Sequence, residues 1–147
     1  MLISREMVLD QDIGLNAALF GGDMMSRMDK VAGITSSLVS HNRRFVTLKV
    51  SELEFHSPVR AGDIIEFYGS ITRRGTTSLT AQLEVKVYAP VSNARRDVTS
   101  GSFVMVAVDD SLRPEPILWK EDMLKEASAE AQERIDERQG SKRRRKA

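Results

Sequence analysis

The spacing of apolar residues changes near residue 43, and this change restricts the folds open to the chain. Before it, apolar side chains recur every three to four positions on one helical face, formed by Met24, Met25, Met28, Val31, Ala32, Leu38 and Val39. After it, apolar and polar residues alternate, as they do in strands with one buried face. One long helix followed by consecutive strands predicts an α+β fold, with an antiparallel sheet curled around the helix.

Four long strands are predicted after the helix, and residues 2–9 are a candidate for a short first strand. The alternation slips near Ser51–Glu52, which predicts a β-bulge there. Residues 79–87 alternate most regularly, and residues 99–108 are apolar on both faces, so we expect that strand to be central and covered on both sides. One helix leaves a sheet edge and a helix flank uncovered, so we also expect self-association.

The C-terminal residues differ from the rest of the chain. Helical spacing over residues 119–138 carries only a narrow apolar stripe, which we expect to lie outside the core, and residues 140–147 form a basic tail. We therefore predict a folded domain over residues 1–116 and a charged helix with a basic tail over residues 117–147. A single short basic run is weak evidence for nucleic-acid binding.

The composition excludes several classes of protein. A length of 147 residues suits one domain, and a net charge of +1 gives no electrostatic basis for binding nucleic acid. No apolar run approaches the ~20 residues of a membrane span. The absence of cysteine excludes disulfides, thiolate catalysis and cysteine-ligated zinc. The N-terminal residues lack the apolar core of a signal peptide, so we expect a cytoplasmic protein.

Candidate chemistry is concentrated around the long helix. Gly21 and Gly22 stand at its start, and Asp29 lies about two turns further on, on the shoulder of the apolar face. Backbone amides at a helix start can stabilise a developing oxyanion, and a carboxylate can act as a base. Gly33 and Ser36 are the helical neighbours of Asp29, and their small side chains leave room for a ligand beside it.

Three blocks of sequence resemble the hotdog-fold acyl-CoA thioester hydrolases, in the branch of bacterial short-chain and mammalian cytosolic acyl-CoA hydrolases. Together they span about residues 15–108, in the order and spacing of that family. The blocks are Leu19-Phe20-Gly21-Gly22 with Met28-Asp29, Phe45-Val46-Thr47-Leu48-Lys49-Val50 with Phe55-His56-Ser57-Pro58-Val59-Arg60-Ala61-Gly62-Asp63, and Arg74-Gly75-Thr76-Thr77-Ser78.

The resemblance implies a hotdog domain that hydrolyses acyl-CoA to a free fatty acid and coenzyme A. It further implies a homodimer with two composite active sites, often assembled into a trimer of dimers. Asp29 would be general base or nucleophile, an amide at Gly22 or Gly21 would polarise the thioester carbonyl, and Thr47 of the partner subunit would position the water. Arg74, Gly75, Thr76, Thr77 and Ser78 would line the pantetheine and phosphates. Coenzyme A belongs to the substrate, and no metal or redox cofactor is implied.

The chain departs from the family pattern at Ala17-Ala18, where the family usually has Gly followed by Thr, Asn or Asp. Asn16 is the nearby candidate to replace the missing polar side chain. This departure favours the alternative hypothesis, a non-catalytic hotdog protein that binds or senses acyl-CoA. A hotdog dehydratase would need a histidine and a carboxylate at the start of the helix, and we expect neither His41 nor His56 to lie there.

Overall fold

A single antiparallel sheet carries one long helix on one of its faces. The computed structural model describes residues 1–127. The sheet has five strands in the order β1-β3-β4-β5-β2, which confirms the predicted α+β architecture. The elements are β1 Leu2–Met7, a 3-10 turn Asp10–Asp12, α1 Gly21–Leu38, β2 Phe45–Phe55, β3 Ile64–Arg74, β4 Ser78–Ala89 and β5 Ala94–Ala107.

The core lies between α1 and the facing side of the sheet. Strand β4 shows the predicted alternation, because its odd-numbered residues from Leu79 to Val87 are buried against the helix. Helix α1 packs tightly on the sheet at Gly69 in β3, where a Cβ atom would lie 2.4 Å from Oγ1 of Thr35. Any side chain at Gly69 would push the helix off the sheet.

Strand β2 contains the predicted bulge, and it forms one edge of the sheet. Its pairing with β5 shifts between Ser51 and Glu54, and Glu52 has a φ of 52°. Strand β5 lies between β4 and β2, so the prediction that it is central is confirmed. The expected cover on both faces is wrong for the single chain, because Val104 and Val106 on the outer face are only half-buried.

The segment after the sheet belongs partly to the core, which corrects our expectation that it lies outside. Ile117, Leu124 and Ala127 are buried, and residues 121–127 are helical. The segment is held by backbone hydrogen bonds, including one of 2.8 Å from the Ile117 N–H to the Thr76 carbonyl. The remainder of the predicted helix and the basic tail lie outside the described residues.

An apolar surface runs along the edge strand β2 and the adjacent flank of α1. Two residues assigned to the buried helix face, Met25 and Leu38, are instead more than a third exposed. Val46 and Leu48 on β2 and Ile34 on α1 are exposed as well, and Val46 lies opposite Val106 on the outer face of the sheet. An open strand edge next to exposed apolar side chains is a surface that favours association. No helix within residues 1–127 is long and apolar enough to cross a membrane.

Candidate active site

Asp29 and Thr47 meet on this same flank, where α1 passes the edge strand. The Thr47 hydroxyl donates a hydrogen bond to Oδ1 of Asp29, and it lies 3.5 Å from the sulfur of Met105. Both residues are exposed in the single chain. The bond fixes one carboxylate oxygen and leaves Oδ2 of Asp29 available to accept a proton or a hydrogen bond.

The resemblance implied that Thr47 of the partner subunit positions the water, whereas here Thr47 bonds Asp29 within one chain. Asp29 meets Thr47 at one end of β2, while Gly21 lies against Phe55 at the other end. The helix and the edge strand therefore run in opposite directions side by side, and this places Asp29 and Thr47 of one chain together.

Gly21 and Gly22 form the first turn of α1, as predicted. Phe20 is the N-cap residue and makes no side-chain capping bond. The first N–H groups of a helix have no partner within the helix, so these amides can bind an oxygen from outside it. A Cβ atom on Gly21 would lie 3.2 Å from the Phe55 ring, whereas nothing lies within 4 Å of a Cβ on Gly22. The space beside Gly22 is thus open to a ligand.

The glycine amides and Asp29 lie at different points along α1. Seven residues separate Gly22 from Asp29, which corresponds to roughly 10 Å along a helix at ~1.5 Å per residue. The flank between them is exposed at Met25, so a second chain can approach it there.

A pocket of about 310 Å³ opens at the start of α1. Leu19 and Met24 border it on the helix side, Phe55 and His56 on the β2 side, and Thr99 lies on the sheet behind it. The expectation that no histidine lies near the helix start is therefore wrong for His56. Its Nε2 atom lies 3.3 Å from the Ser100 hydroxyl. The local sequence does not predict that His56 lies near the start of the helix. This location depends on the full length and the direction of β2, which ends at Phe55.

The turn over residues 74–78 lies at the same end of the sheet as Thr47. Leu79, Met105 and Thr47 form one row across β4, β5 and β2, so Leu79 lies about 10 Å from Thr47 at ~4.8 Å per strand. The Gly75 N–H donates to the Ser78 carbonyl over 2.7 Å and closes the turn.

Arg74 is already engaged by the C-terminal segment. Its guanidinium donates to both carboxylate oxygens of Glu121, over 2.8 and 3.3 Å, and lies 4.6 Å from the centre of the Trp119 ring. The hydrogen bond from Arg74 lowers the pKa of Glu121. The exposed Thr76 lies next to this pair, and Thr77 is half-buried, with its backbone carbonyl accepting from Ala107.

The loop before the helix explains part of the departure at residues 17 and 18. Ala17 has a φ of 55°, a left-handed conformation that glycine adopts with less strain. Asn16 lies in an exposed turn, whereas Ala18 contributes to the pocket wall. Asn16 is therefore poorly placed to replace a polar side chain at residue 18.

A buried carboxylate on the outer face of the sheet was missed by the sequence analysis. Glu66 is fully buried and accepts hydrogen bonds from Arg5 (2.5 Å), Arg95 (2.6 Å) and Tyr68 (2.9 Å). Both guanidinium groups also lie over the Tyr88 ring. Burial alone would raise the pKa of Glu66, but the bonds from Arg95, Arg5 and Tyr68 outweigh it and lower that pKa. This cluster ties β1, β3 and β5 together and lies outside the candidate site.

Comparison with known proteins places the chain in a family. Residues 16–90 match the model of the thioesterase superfamily. The acyl-CoA thioester hydrolase YciA of Salmonella typhimurium is 34% identical over 119 residues, covering 79% of this chain and 89% of that protein.

Solved structures of the same family share the fold. A variant of HI0827, a hexameric broad-specificity acyl-coenzyme A thioesterase, superposes with a TM-score of 0.80 at 31% identity, covering 90% of this chain and 98% of that one. The hexameric thioesterase y2039 of Yersinia pestis gives 0.74 at 33% identity, covering 80% and 94%. The chain belongs to the hotdog-fold acyl-CoA thioester hydrolases of the thioesterase superfamily. Among residues 1–127, no three His, Asp or Glu side chains are grouped so as to hold a metal ion.

Proposed function

We propose that this protein hydrolyses acyl-CoA to a free fatty acid and coenzyme A, with Asp29 as the catalytic carboxylate. The observation that carries this proposal is the Asp29–Thr47 hydrogen bond on the open flank of α1. It holds a carboxylate in one orientation at a surface where a second chain and a substrate can both approach. Membership of a thioester hydrolase family supplies the reaction type.

The proposed chemistry uses a carboxylate and a backbone amide. Oδ2 of Asp29 takes a proton from a water molecule as the water oxygen adds to the thioester carbon. The amide of Gly22, or of its neighbour Gly21, stabilises the oxyanion that forms. The C–S bond then breaks, and the thiolate of coenzyme A leaves and takes a proton. In the alternative route Asp29 attacks the carbonyl carbon directly, and the resulting anhydride is hydrolysed. A single turnover in ¹⁸O-labelled water tests direct attack followed by hydrolysis at the Asp29 carbonyl of the anhydride, since only that route places the label in the Asp29 carboxylate rather than in the fatty acid.

The site is completed by a partner subunit in this proposal. Two chains that pair their β2 edges in antiparallel fashion bring the Thr47 end of one strand beside the Phe55 end of the other. Because Asp29 adjoins Thr47 and Gly21 adjoins Phe55, Asp29 of one chain then faces the helix start of the partner. The exposed side chains of Met25 and Leu48 would be covered by the same contact.

Coenzyme A is proposed to lie along the turn over residues 74–78. Leu79, at the end of this turn, is about 10 Å from Thr47 at ~4.8 Å per strand, a distance that an extended pantetheine arm can span. Gly75 closes the turn with its amide and presents no side chain, Thr76, Thr77 and Ser78 carry hydroxyls, and Arg74 offers positive charge. Glu121 competes with phosphate for Arg74, so we infer that Arg74 binds phosphate through the guanidinium face that Glu121 leaves open. We also propose that the reaction needs no metal or redox cofactor. The cytoplasmic location of the protein stays a prediction.

Turnover by the Asp29→Asn variant tests the proposal. We expect kcat to fall by at least about a thousandfold on short-chain acyl-CoAs, because the amide cannot take the proton from water. Asp122→Asn is the matched control, since Asp122 is an exposed helical aspartate to which no step of the reaction is assigned. If the wild-type protein binds acyl-CoA but does not hydrolyse it, the result supports an acyl-CoA sensor instead. Full activity of the Asp29→Asn variant would refute the role assigned to Asp29.

The assembly is tested by the mass in solution. The structural relatives HI0827 and y2039 are hexameric, and six chains of 16.4 kDa weigh about 98 kDa. We propose three dimers of the kind described above. Replacing Leu48 with glutamate on the β2 edge should break the dimers and abolish turnover together. A monomer that retains full activity would contradict the composite site.

A further inference from the structure

The pocket at the start of α1 has apolar walls and one buried polar group without a hydrogen-bond partner among the described residues. Leu19, Met24 and Phe55 form its apolar lining, and Thr99 stands on the sheet behind them. At about 310 Å³ it lies at the small end of ligand pockets, which span roughly 300–1,000 Å³. Its size suits a short acyl group.

Thr99 is the polar group in question. The residue is 2% exposed, and its hydroxyl has no hydrogen-bond partner within residues 1–127. Its side chain shares the helix-facing side of β5 with Phe103 and Met105, because residues of equal parity lie on one face of a strand. Buried hydroxyl groups are almost always paired, so an unpaired one in a pocket wall is a group that a ligand can complete.

The position of Thr99 connects it to the reaction centre. Thr99 lies directly opposite Phe55 in the pairing of β5 with β2. The Phe55 ring is in turn 3.2 Å from the position of a Cβ atom on Gly21. A thioester carbonyl at the Gly21–Gly22 amides would therefore have the pocket immediately beside it, on the side where an acyl chain can extend.

We propose that the pocket binds a short acyl group that carries an oxygen close to the thioester, a 3-oxo or 3-hydroxy group, and that Thr99 donates its hydrogen bond to that oxygen. This inference rests on the proposed thioester hydrolysis and names the substrate class for it. Thr99 is then a specificity residue. It contacts the acyl group and takes no part in breaking the C–S bond.

The test compares three four-carbon substrates, butyryl-CoA, 3-oxobutyryl-CoA and 3-hydroxybutyryl-CoA, on wild type and on Thr99→Val. Valine has nearly the shape of threonine without the hydroxyl. The expected result is that kcat/KM for each oxygenated substrate, divided by kcat/KM for butyryl-CoA, falls about tenfold in Thr99→Val, the size of one neutral hydrogen bond. Comparing each substrate between the two proteins removes the intrinsic reactivity of the 3-oxo thioester. Thr99→Ser keeps the hydroxyl and should keep the preference.

Equal changes in kcat/KM on all three substrates would overturn the inference. That result is expected if the Thr99 hydroxyl binds only a structural water molecule. That result leaves the proposed function intact, because butyryl-CoA turnover would still depend on Asp29. Butyryl-CoA turnover that survives Asp29→Asn would refute the proposed function instead. Dissociation constants of the same three substrates can also be measured for Asp29→Asn with and without Thr99→Val. Their ratios give the effect of the Thr99 hydroxyl on binding independently of turnover.

Discussion

Replacing Thr47 with valine removes the hydroxyl that holds Asp29 and leaves the shape of the side chain nearly unchanged. The bond is made to a carboxylate, and hydrogen bonds to charged groups contribute about 1.5–3 kcal/mol. If this orientation is needed in the transition state, the loss corresponds to a drop in kcat of roughly 10- to 150-fold. KM should change little, because Thr47 is not proposed to contact the coenzyme A moiety. Stability should also change little, since Thr47 is exposed on an edge strand.

The assay is the release of free coenzyme A, followed with a thiol reagent. The chain contains no cysteine, so the reagent reports only the product. Thr47→Ser retains a hydroxyl at the same position and should recover most of the lost kcat. A Thr47→Val enzyme with wild-type kcat would refute the positioning role. So would a serine variant as impaired as the valine one, because the loss would then come from packing.

Three further predictions concern the surroundings of the site and the stability of the fold. Glu66→Gln should lower the free energy of unfolding by about 2 kcal/mol at pH 7 in urea titrations. Because the folded pKa of Glu66 is below its usual value of about 4.5, this difference should shrink as the pH falls through the lowered pKa, and a pH-independent difference would contradict it. Ala17→Gly should raise the thermal midpoint by about 2 °C by relieving the left-handed backbone, and a lower midpoint would contradict that reading. Glu121→Gln should lower KM for acyl-CoA a few-fold at low salt by freeing Arg74, with an unchanged KM counting against phosphate binding there.

The fold could be predicted where local pattern and burial coincide. Strand β4 alternates because one face packs on the helix along its whole length, and the bulge near Glu52 appears in the sequence as a slip of that alternation. The start of β5 was placed five residues too late. Its first residues include Arg95, whose partner Glu66 lies on β3, and no local pattern reveals a charge pair between separate strands.

The candidate site was predictable in its parts, but the relations between the parts were not. The glycine pair and Asp29 follow from the helix and the family pattern. Thr47 and Asp29 of one chain meet because β2 runs antiparallel to α1, and the relative direction of the two elements is a property of the tertiary fold. The pairing of Arg74 with Glu121 and the unpaired hydroxyl of Thr99 likewise depend on segments distant in sequence.

A crystal structure of the Asp29→Asn variant with an acyl-CoA bound would show directly whether two chains share one active site. The thioester carbonyl oxygen should lie about 3 Å from the Gly21 or Gly22 amide of one chain. The carbonyl carbon should face the substituted side chain at position 29 of the other chain, close enough for one water molecule or for direct contact. A thioester held between groups of a single chain, or bound away from both, would contradict the shared active site.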